Sequence, residues 1–303
     1  EERSWWFMKE FTLDEEILSG ESVELVLESL DAEGDIFLNG FYLGHHRSAF
    51  YPFRADIRDK AADMNTLLVR LSCGLEHYSE QDIARYKRHA HATPASESDP
   101  CSRADFRIPF VRKPQYVYGW DHVPRLATCG MNGNAYIEYH EKLAIRSVHA
   151  YTEAIAGQDA NVTVSMEVEN FHPYATMDAR VKLDISLETH LVCEICEDVF
   201  LKSGINHMDF RCTISNARLW WPNGMGDQNL YSVKAAVESE GVMEEYPEFR
   251  FGIRKVCLDT RKINPSERLF AITINGVRAY CKGGDWVPAD SIYSRVKDEK
   301  YRI

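Results

Sequence analysis

Apolar and polar residues that alternate with a period of two dominate the second half of the chain. From Val162 to Val168, valine and methionine alternate with threonine, serine and glutamate, which predicts a β-strand with one face in a core and the other in water. The same pattern predicts three further strands, at 181–187, 208–214 and 231–237. After Phe249 the alternation slips at Arg254 and then resumes, which is typical of a β-bulge. We therefore expect residues 146–258 to form an antiparallel sandwich of immunoglobulin-like size.

Shorter alternating segments predict a second β domain in residues 1–145. They lie at 23–27, 35–38, 41–43, 66–71 and 135–140. Asn39 and Gly40 stand between two of them, and Asn-Gly is a strong hairpin signal because both central residues of the turn need a positive φ. The polar stretch 75–114 is long for a loop in a compact domain, and such loops are usually functional or mobile.

Residues 259–303 change character and predict the start of a third domain. Apolar positions alternate from Phe270 to Ile274 and lead into a second Asn-Gly hairpin signal at 275–276. A glycine-containing segment follows at 282–290. Because a domain that is begun but not completed leaves unpaired strand edges, we expect this part either to pack against the sandwich or to promote aggregation.

Charge and hydropathy exclude two kinds of partner. The 303 residues contain 35 Lys and Arg against 47 Asp and Glu, a net charge of -12. Nucleic-acid binding depends on a basic surface, so we expect no nucleic-acid partner. No stretch approaches the ~20 consecutive apolar residues of a membrane-spanning helix, so we expect no membrane partner either. The partner should be neutral or cationic.

Cysteine and histidine spacing gives no reason to expect a metal or another cofactor. The eight Cys have no repeated spacing. Cys193 and Cys196 form a C-x-x-C, but no second pair follows at the spacing of a zinc site. The close histidine pairs lack acidic or cysteine partners at ligand spacing; they are His45 with His46 and His89 with His91. We therefore expect neither a metal site nor a cofactor.

Four segments of the chain, in this order, resemble glycoside hydrolase family 2. The sequence IFLNG at 36–40 resembles part of the sugar-binding jelly-roll domain that opens these enzymes. RKPQYVYGWDHVPRL at 112–126 is similar to a stretch near the end of that domain in the family's β-mannosidases. LWWPNG at 219–224, with FGIR at 251–254, is similar to the late part of the family's immunoglobulin-like domain. KGGDWVPAD at 282–290 resembles the first strand and loop of its (β/α)8 barrel.

The resemblance implies a mostly β fold with three parts. These are a jelly-roll sugar-binding domain, incomplete at its N-terminus, over 1–145, an Ig-like β-sandwich over 146–258, and the first strands of a truncated (β/α)8 barrel over 259–303. It also implies that the chain is a non-catalytic fragment of a retaining exo-β-mannosidase, an enzyme that hydrolyses terminal β-D-mannosides of oligosaccharides. The fragment is expected to supply scaffold and one wall of the sugar pocket. Two other activities of the family, β-glucosaminidase and β-galactosidase, stay open because specificity resides largely in the barrel.

Trp120 and Asp121 are the first candidates for substrate binding. An indole offers a flat apolar face to the C–H side of a pyranose, and a neighbouring carboxylate accepts hydrogen bonds from vicinal hydroxyls. Without the resemblance, a core position for Trp120 and an ion pair of Asp121 with Arg125 are the favoured interpretation. The resemblance implies that both side chains reach from the jelly roll into the active-site pocket and contact the sugar that is cleaved. His122 replaces the tryptophan-rich continuation common in the family, which leaves the aglycone side open.

Trp286 and Asp290 are the second pair of candidates. The resemblance implies that they lie at the C-terminal end of the first barrel strand, which is where active sites of this fold form. We therefore expect them to approach the same sugar pocket. The alternative is that they are packed residues of the barrel floor.

The chain is expected to contain no catalytic residues. Retaining glycosidases need two carboxyl groups about 5–5.5 Å apart. In the family both are glutamates on later barrel strands, and the acid/base follows an asparagine. No Asn-Glu dipeptide occurs in the sequence, and residues 259–303 are far fewer than the roughly 250 of a complete barrel. We therefore expect the catalytic pair beyond residue 303 and no turnover by this chain.

A different class of protein is also compatible with these patterns. The chain could be a stand-alone carbohydrate-binding β-sandwich module that acts like a lectin. Such a module would bind glycans by itself through a surface aromatic platform. Part of a glycosidase pocket would instead bind them weakly or not at all without the barrel.

Overall fold

The structure is a computed structural model that describes residues 3–87, 107–119 and 124–302. These residues form two compact units, one within Glu1–His140 and Asp285–Ile303 and the other within Glu141–Gly284. Both units consist mainly of antiparallel strands, which confirms the prediction of a mostly β chain. None of the helices in the described ranges has the length and apolar character that spanning a bilayer requires.

The first unit is a β-sandwich with two main sheets. Its strands, in chain order, are β1 (Trp5–Thr12), β2 (Ser22–Leu27), β3 (Leu30–Asp31), β4 (Glu33–Leu38), β5 (Phe41–His46), β6 (Phe53–Asp56), β7 (Met64–Ser72), β8 (Gly130–Met131) and β9 (Ala135–His140). One sheet has the order β1-β7-β4-β5 and the other β6-β2-β9, while β3 pairs with β8. All of these pairs are antiparallel.

The core of the first unit lies between these two sheets. Val23, Leu25 and Leu27 of β2 pack with apolar residues of β4 and β7, and all are nearly inaccessible to solvent. The predicted Asn-Gly hairpin is confirmed between β4 and β5, where Asn39 has φ 52° and Gly40 has φ 84°. Positive φ at both positions matches the twist of the strands, which is why this dipeptide is favoured there.

Helical turns occupy the described parts of the connection between β7 and β8. They are the 3-10 turn Leu75–His77, the helix α2 (Glu80–Lys87), and the 3-10 turns Ile108–Phe110 and Gln115–Tyr118. A four-residue helix, α1 (Glu15–Leu18), connects β1 to β2. The connection after β7 thus contains ordered turns beside the sandwich core.

The second unit is a sandwich of a three-stranded and a four-stranded sheet. Its strands are β10 (Leu143–Ala156), β11 (Asp159–Asn170), β12 (Met177–Leu187), β13 (His190–Leu201), β14 (Gly204–Ile214), β15 (Tyr231–Ser239) and β16 (Val242–Phe251). The sheet orders are β10-β11-β14 and β13-β12-β15-β16. Alternate residues of β11, β12 and β15 fill the core between the sheets, so the four period-two segments predicted as strands are confirmed.

The β-bulge predicted near Arg254 is wrong. The strand β16 ends at Phe251, and residues 252–255 leave the sheet. A Cβ on Gly252 would lie 2.6 Å from Cβ of Trp220, so the backbone crosses this indole side chain at close range. The Arg254 guanidinium then lies 4.7 Å from the centre of the Trp220 ring. The slip in the alternation therefore marks a crossover out of the sheet.

The last part of the chain confirms the predicted hairpin and contains no strand where the first barrel strand was predicted. The strands β17 (Val256–Asp259), β18 (Ala271–Ile274) and β19 (Val277–Ala279) form a separate antiparallel sheet, and the predicted hairpin at 275–276 joins the last two. Residues 282–290 form no strand. The expected barrel strand needs parallel neighbours, and none is present among the described residues. Residues 285–303 belong to the first unit, whereas residues 259–284 belong to the second. The expectation that 259–303 either packs against the sandwich or promotes aggregation therefore holds in its first form for 259–284 alone, and aggregation stays a prediction.

Candidate functional site

Trp120 and Asp121, the first predicted site residues, lie outside the described residues. The structure describes the chain up to Gly119 and again from Pro124 onward. Gly119 has φ 113°, a backbone conformation that glycine adopts at no steric cost. The glycine of the Gly-Trp-Asp motif therefore makes a turn that a residue with a side chain would strain.

The described ends of this motif are tied to each other and to the core. Val117 and Tyr118, in the 3-10 turn Gln115–Tyr118, are fully buried. The backbone N–H of Leu126 donates to the carbonyl of Val117 at 2.9 Å. The Tyr118 hydroxyl donates to the carbonyl of Cys73 at 2.5 Å, and burial raises the pKa of this hydroxyl. The segment between Tyr118 and Leu126 thus starts and ends at fixed points.

A buried ion pair lies directly before this turn. Lys113 is 2% exposed and its ammonium pairs with Asp31, which is fully buried in β3. The ammonium also donates to the Thr128 carbonyl at 2.7 Å and to Thr128 Oγ1 at 3.0 Å, and Oγ1 donates to Asp31 Oδ2 at 2.5 Å. Removing one partner of a buried ion pair typically costs roughly 3–5 kcal/mol, because the other charge is left buried and unpaired. These contacts connect the start of the motif to β3 and to Thr128.

A second polar group of side chains surrounds Glu33 of β4. Oε1 of Glu33 accepts from the Tyr78 hydroxyl at 2.8 Å, and burial raises the pKa of that hydroxyl. Oε2 lies 3.8 Å from Nε2 of His45 and 3.8 Å from Nε2 of His77. In the part of the chain that the structure describes, no group of three or more His, Cys, Asp or Glu side chains is arranged to hold a metal ion. We therefore assign this group to the packing of the first unit.

Asp290, the fourth predicted residue, is held by its own segment. Its carboxylate accepts from the backbone N–H of Ile292 at 2.9 Å and from the Arg295 guanidinium at 3.0 and 3.2 Å. The hydrogen bonds from Ile292 and Arg295 lower the pKa of Asp290. The side chain is therefore a fixed, ionised acceptor at the surface of the first unit.

Trp286, the third predicted residue, presents an open aromatic face. It is 75% exposed, and its ring centre lies 5.8 Å from that of Tyr301. An exposed indole of this kind can stack on the apolar face of a sugar. Both interpretations of Trp286, in the wall of the sugar pocket or packed in the barrel floor, remain predictions.

The structure brings the 112–126 motif and the segment carrying Trp286 and Asp290 to the same unit. Tyr293 packs against the apolar cluster that contains Val117 and Tyr118. Burial raises the pKa of Tyr116, and the nearby Tyr301 hydroxyl and Asp290 carboxylate add to this shift. The segment that carries Trp286 and Asp290 therefore borders the turn Gln115–Tyr118 of the 112–126 motif.

The chain matches two protein-family models, one within each unit. A family model described as "Glycosyl hydrolase 2 galactose-binding domain-like" matches residues 1–133, and a model described as "Glycosyl hydrolases family 2" matches residues 143–254. Together they cover most of the chain in the order that the motifs predicted. The chain belongs to glycoside hydrolase family 2. The first unit is thus the family's galactose-binding-like domain, and the second carries its immunoglobulin-like sandwich.

Similar family 2 proteins include Beta-mannosidase B of Emericella nidulans, which is 29% identical over 308 residues, 99% of this chain and 34% of that protein. Beta-mannosidase B of Aspergillus oryzae is 26% identical, again over 99% of this chain and 34% of its own length. The crystal structure of the Dictyoglomus thermophilum Beta-D-Mannosidase superposes with a TM-score of 0.83 and 28% identity, covering 99% of this chain and 35% of that one. The chain therefore spans about a third of the length of the curated relatives it matches.

Sequence reasoning missed the polar residues beneath this family 2 motif. No local pattern in the sequence indicates the contacts of Asp31, Lys113, Thr128 and Tyr293. Charged residues are mostly exposed, and the partners of these four residues are distant in sequence. Lys113 lies inside the recognised 112–126 motif, which is the one hint the sequence contained. Their contacts are visible only in the folded chain.

Proposed function

We propose that this chain is the non-catalytic N-terminal portion of a retaining exo-β-mannosidase, an enzyme that hydrolyses terminal β-D-mannosides of oligosaccharides. The observation that carries the proposal is that relatives named as β-mannosidases, including a solved structure at TM-score 0.83, match 99% of the chain. We retain the predicted domain limits of 1–145, 146–258 and 259–303 as part of this proposal.

The substrate would meet the chain at the surface around the turn Gln115–Tyr118. We assign sugar contacts to Trp120 and Asp121, and we place Trp286 and Asp290 in the wall of the same pocket. Several features support the assignment: Gly119 turns at the start of Trp120-Asp121, the Trp286 indole is exposed, and the Asp290 carboxylate is ionised and fixed. Stacking and charge-assisted hydrogen bonding are the two interactions that a pyranose offers.

The catalytic step is assigned to parts of the enzyme beyond this chain. The sequence has no Asn-Glu dipeptide, and retaining hydrolysis needs a nucleophile and an acid/base about 5–5.5 Å apart. The purified chain should therefore leave an aryl β-mannoside intact over a long incubation. Sustained release of the aryl group by pure chain would overturn the proposal.

The enzyme encoded by the complete reading frame is the positive control of this test. It should hydrolyse the aryl β-mannoside in preference to the matching β-galactoside and β-N-acetylglucosaminide. Preference for either of the other two sugars would retain the family and change the substrate.

Isothermal titration of the 303-residue chain with mannose and manno-oligosaccharides tests the binding-module alternative. We expect weak or no heat of binding, because a pocket wall lacks most of the contacts that hold the sugar. Tight binding by the chain alone would favour a stand-alone carbohydrate-binding module.

A further inference from the structure

Three aromatic side chains lie together on the outer face of the sheet β1-β7-β4-β5. They are Trp6 of β1, Phe37 of β4 and Tyr42 of β5, and we call them the aromatic row. We propose that the aromatic row and the polar side chains beside it form a second sugar-binding surface, which takes a stretch of a neutral pyranose chain. The proposal rests on the proposed function for the class of sugar, and this surface shares no residue with the pocket assigned above.

The strand register places the aromatic row on one face of the sheet. Trp6 lies opposite Arg70, and Phe37 lies opposite both Leu68 and Tyr42. Leu68 and Arg70 alternate with the core residues of β7, so they face away from the core. Residues directly opposite each other in antiparallel strands share a face, and the three rings therefore face outward.

The three rings are in contact and partly open to solvent. The ring centres of Trp6 and Phe37 are 6.3 Å apart, and their planes are inclined by 28°. Those of Phe37 and Tyr42 are 5.3 Å apart and inclined by 55°. Trp6 and Tyr42 are 57% and 56% exposed. Neighbouring rings thus support each other, and the exposed indole and phenol can stack on the C–H face of a pyranose.

A polar row adjoins the rings on the same face. It consists of Arg70, Asp35 and His45, which lie opposite one another on β7, β4 and β5. The Arg70 guanidinium donates to Asp35 Oδ2 at 2.8 Å and to Ser4 Oγ at 2.9 Å. The Tyr42 hydroxyl donates to Asp35 Oδ1 at 3.4 Å. The polar row is therefore connected to the aromatic row and held in a defined geometry.

The polar row keeps hydrogen-bonding capacity for a ligand. The side chains of Arg70, Asp35 and His45 are 28%, 23% and 25% exposed. A guanidinium has five N–H donors and a carboxylate has about four acceptor positions, which is more than the contacts within the row use. A charged donor beside a charged acceptor suits vicinal hydroxyls, each of which both donates and accepts.

This mixture of contacts favours a neutral sugar over an apolar protein partner. The cores of protein interfaces are depleted of charged residues, and covering Asp35 and Arg70 with apolar surface would leave hydrogen-bonding positions unsatisfied. Because these two charges balance each other, neither an anionic nor a cationic ligand is favoured. A pyranose has an apolar C–H face and hydroxyl groups in one ring, so it matches both rows at once.

Affinity electrophoresis of the 303-residue chain tests the proposal. In native gels that contain soluble galactomannan, the chain should migrate more slowly than in gels without polysaccharide. One open face makes few contacts, so we expect weak binding, in line with the small heat expected in the titration with manno-oligosaccharides. Trp6→Ala and Tyr42→Ala should each raise the apparent dissociation constant about tenfold, because each removes a stacking ring.

Trp5→Ala is the matched control for the loss of an exposed indole. Trp5 is 58% exposed and lies opposite the core residue Leu71, so it is on the other face of β1. This variant should be retarded by galactomannan as strongly as the unsubstituted chain. Polyethylene glycol in place of galactomannan should not retard any of these chains.

Several results would overturn the proposal. They are an unsubstituted chain that galactomannan does not retard, equal retardation by polyethylene glycol, or folded Trp6→Ala and Tyr42→Ala variants that are retarded as strongly as Trp5→Ala. If one of the two variants does not fold, the other is judged by the same criteria. None of these results concerns the hydrolysis of an aryl β-mannoside by the full-length enzyme, so the proposed function would stand.

Discussion

Asp35 illustrates how single residues of the first unit set its response to acid. It lies in β4, and its carboxylate accepts from His45 Nδ1 and from the Arg70 guanidinium, both at 2.8 Å. Partial burial acts to raise the pKa of Asp35, but the hydrogen bonds from His45 and Arg70 outweigh it and hold the pKa below its ordinary value. The folded chain therefore binds this proton less readily than the unfolded chain does.

The sign of the pH dependence follows from this pKa. Because the folded-state pKa is lowered, Asp35 contributes stability above the ordinary aspartate value of about 4, and this contribution is lost as the pH falls through the folded-state pKa. In Asp35→Asn, the melting temperature should be reduced most near neutral pH, and the difference from the unsubstituted chain should disappear in strong acid.

Thermal melting followed by circular dichroism across the acidic range checks this prediction. Asp298→Asn is the control, since Asp298 is 86% exposed, and its melting temperature should follow that of the unsubstituted chain at every pH. A constant difference between Asp35→Asn and the unsubstituted chain over the whole range would contradict the prediction.

At the residue scale, turn chemistry could be predicted from sequence and buried charge could not. Asn39-Gly40 and the Asn-Gly at 275–276 were predicted as hairpin turns, because few dipeptides accept two positive φ angles. The burial of Asp31 with Lys113 depends on partners far apart in the chain, and no local pattern encodes it.

Among the elements, β1 stands out as an apolar strand at a sheet edge. It pairs with β7 on one side, and no second partner is found within the described ranges. Trp5, Trp6 and Met8 are 58%, 57% and 69% exposed. A groove of about 530 Å³ with a mostly apolar lining, which includes Phe7 of β1 and Tyr136 of β9, lies beside it.

An exposed apolar edge strand promotes association of chains, so β1 should drive self-association of the 303-residue chain. A variant with Trp6→Lys and Met8→Lys should elute and scatter light as a smaller species, because charge on an edge strand opposes strand pairing. Size-exclusion chromatography with light scattering over a concentration series measures this directly.

Tyr174→Lys is the control for the effect of added charge. Tyr174 is 95% exposed and lies outside the strands, so its replacement should leave the association unchanged. An unsubstituted chain that stays monomeric throughout the series would contradict the role given to β1.

Strand prediction succeeded where one face of the strand is buried. Alternate residues are buried in β11, β12 and β15. The sequence of each of these strands therefore shows apolar residues with a period of two. β13 is mostly exposed at the edge of its sheet, so its sequence carries no comparable alternation and the strand was not predicted. The slip at Arg254 was misread because sequence cannot distinguish a bulge from a crossover packed on Trp220.

At the scale of the whole molecule, the family and the order of its domains were predicted from four motifs. The family is confirmed by two family models, which match residues 1–133 and 143–254 in the order predicted for the first two domains. The third domain stays a prediction. The placement of residues 285–303 in the first unit was not predicted. It depends on the fit of Tyr293 to a buried cluster, which is a property of the folded chain and not of any local pattern.

The central proposal is that Asp121 binds the sugar whose glycosidic bond the complete enzyme cleaves. The most direct test is the kcat/KM of the full-length enzyme on an aryl β-mannoside. A hydrogen bond to a charged group contributes about 1.5–3 kcal/mol, so Asp121→Asn should lower kcat/KM by roughly 10- to 100-fold. Asp198→Asn, which changes a 75% exposed aspartate of β13, should leave it unchanged. An Asp121→Asn enzyme as active as the Asp198→Asn control would contradict the account.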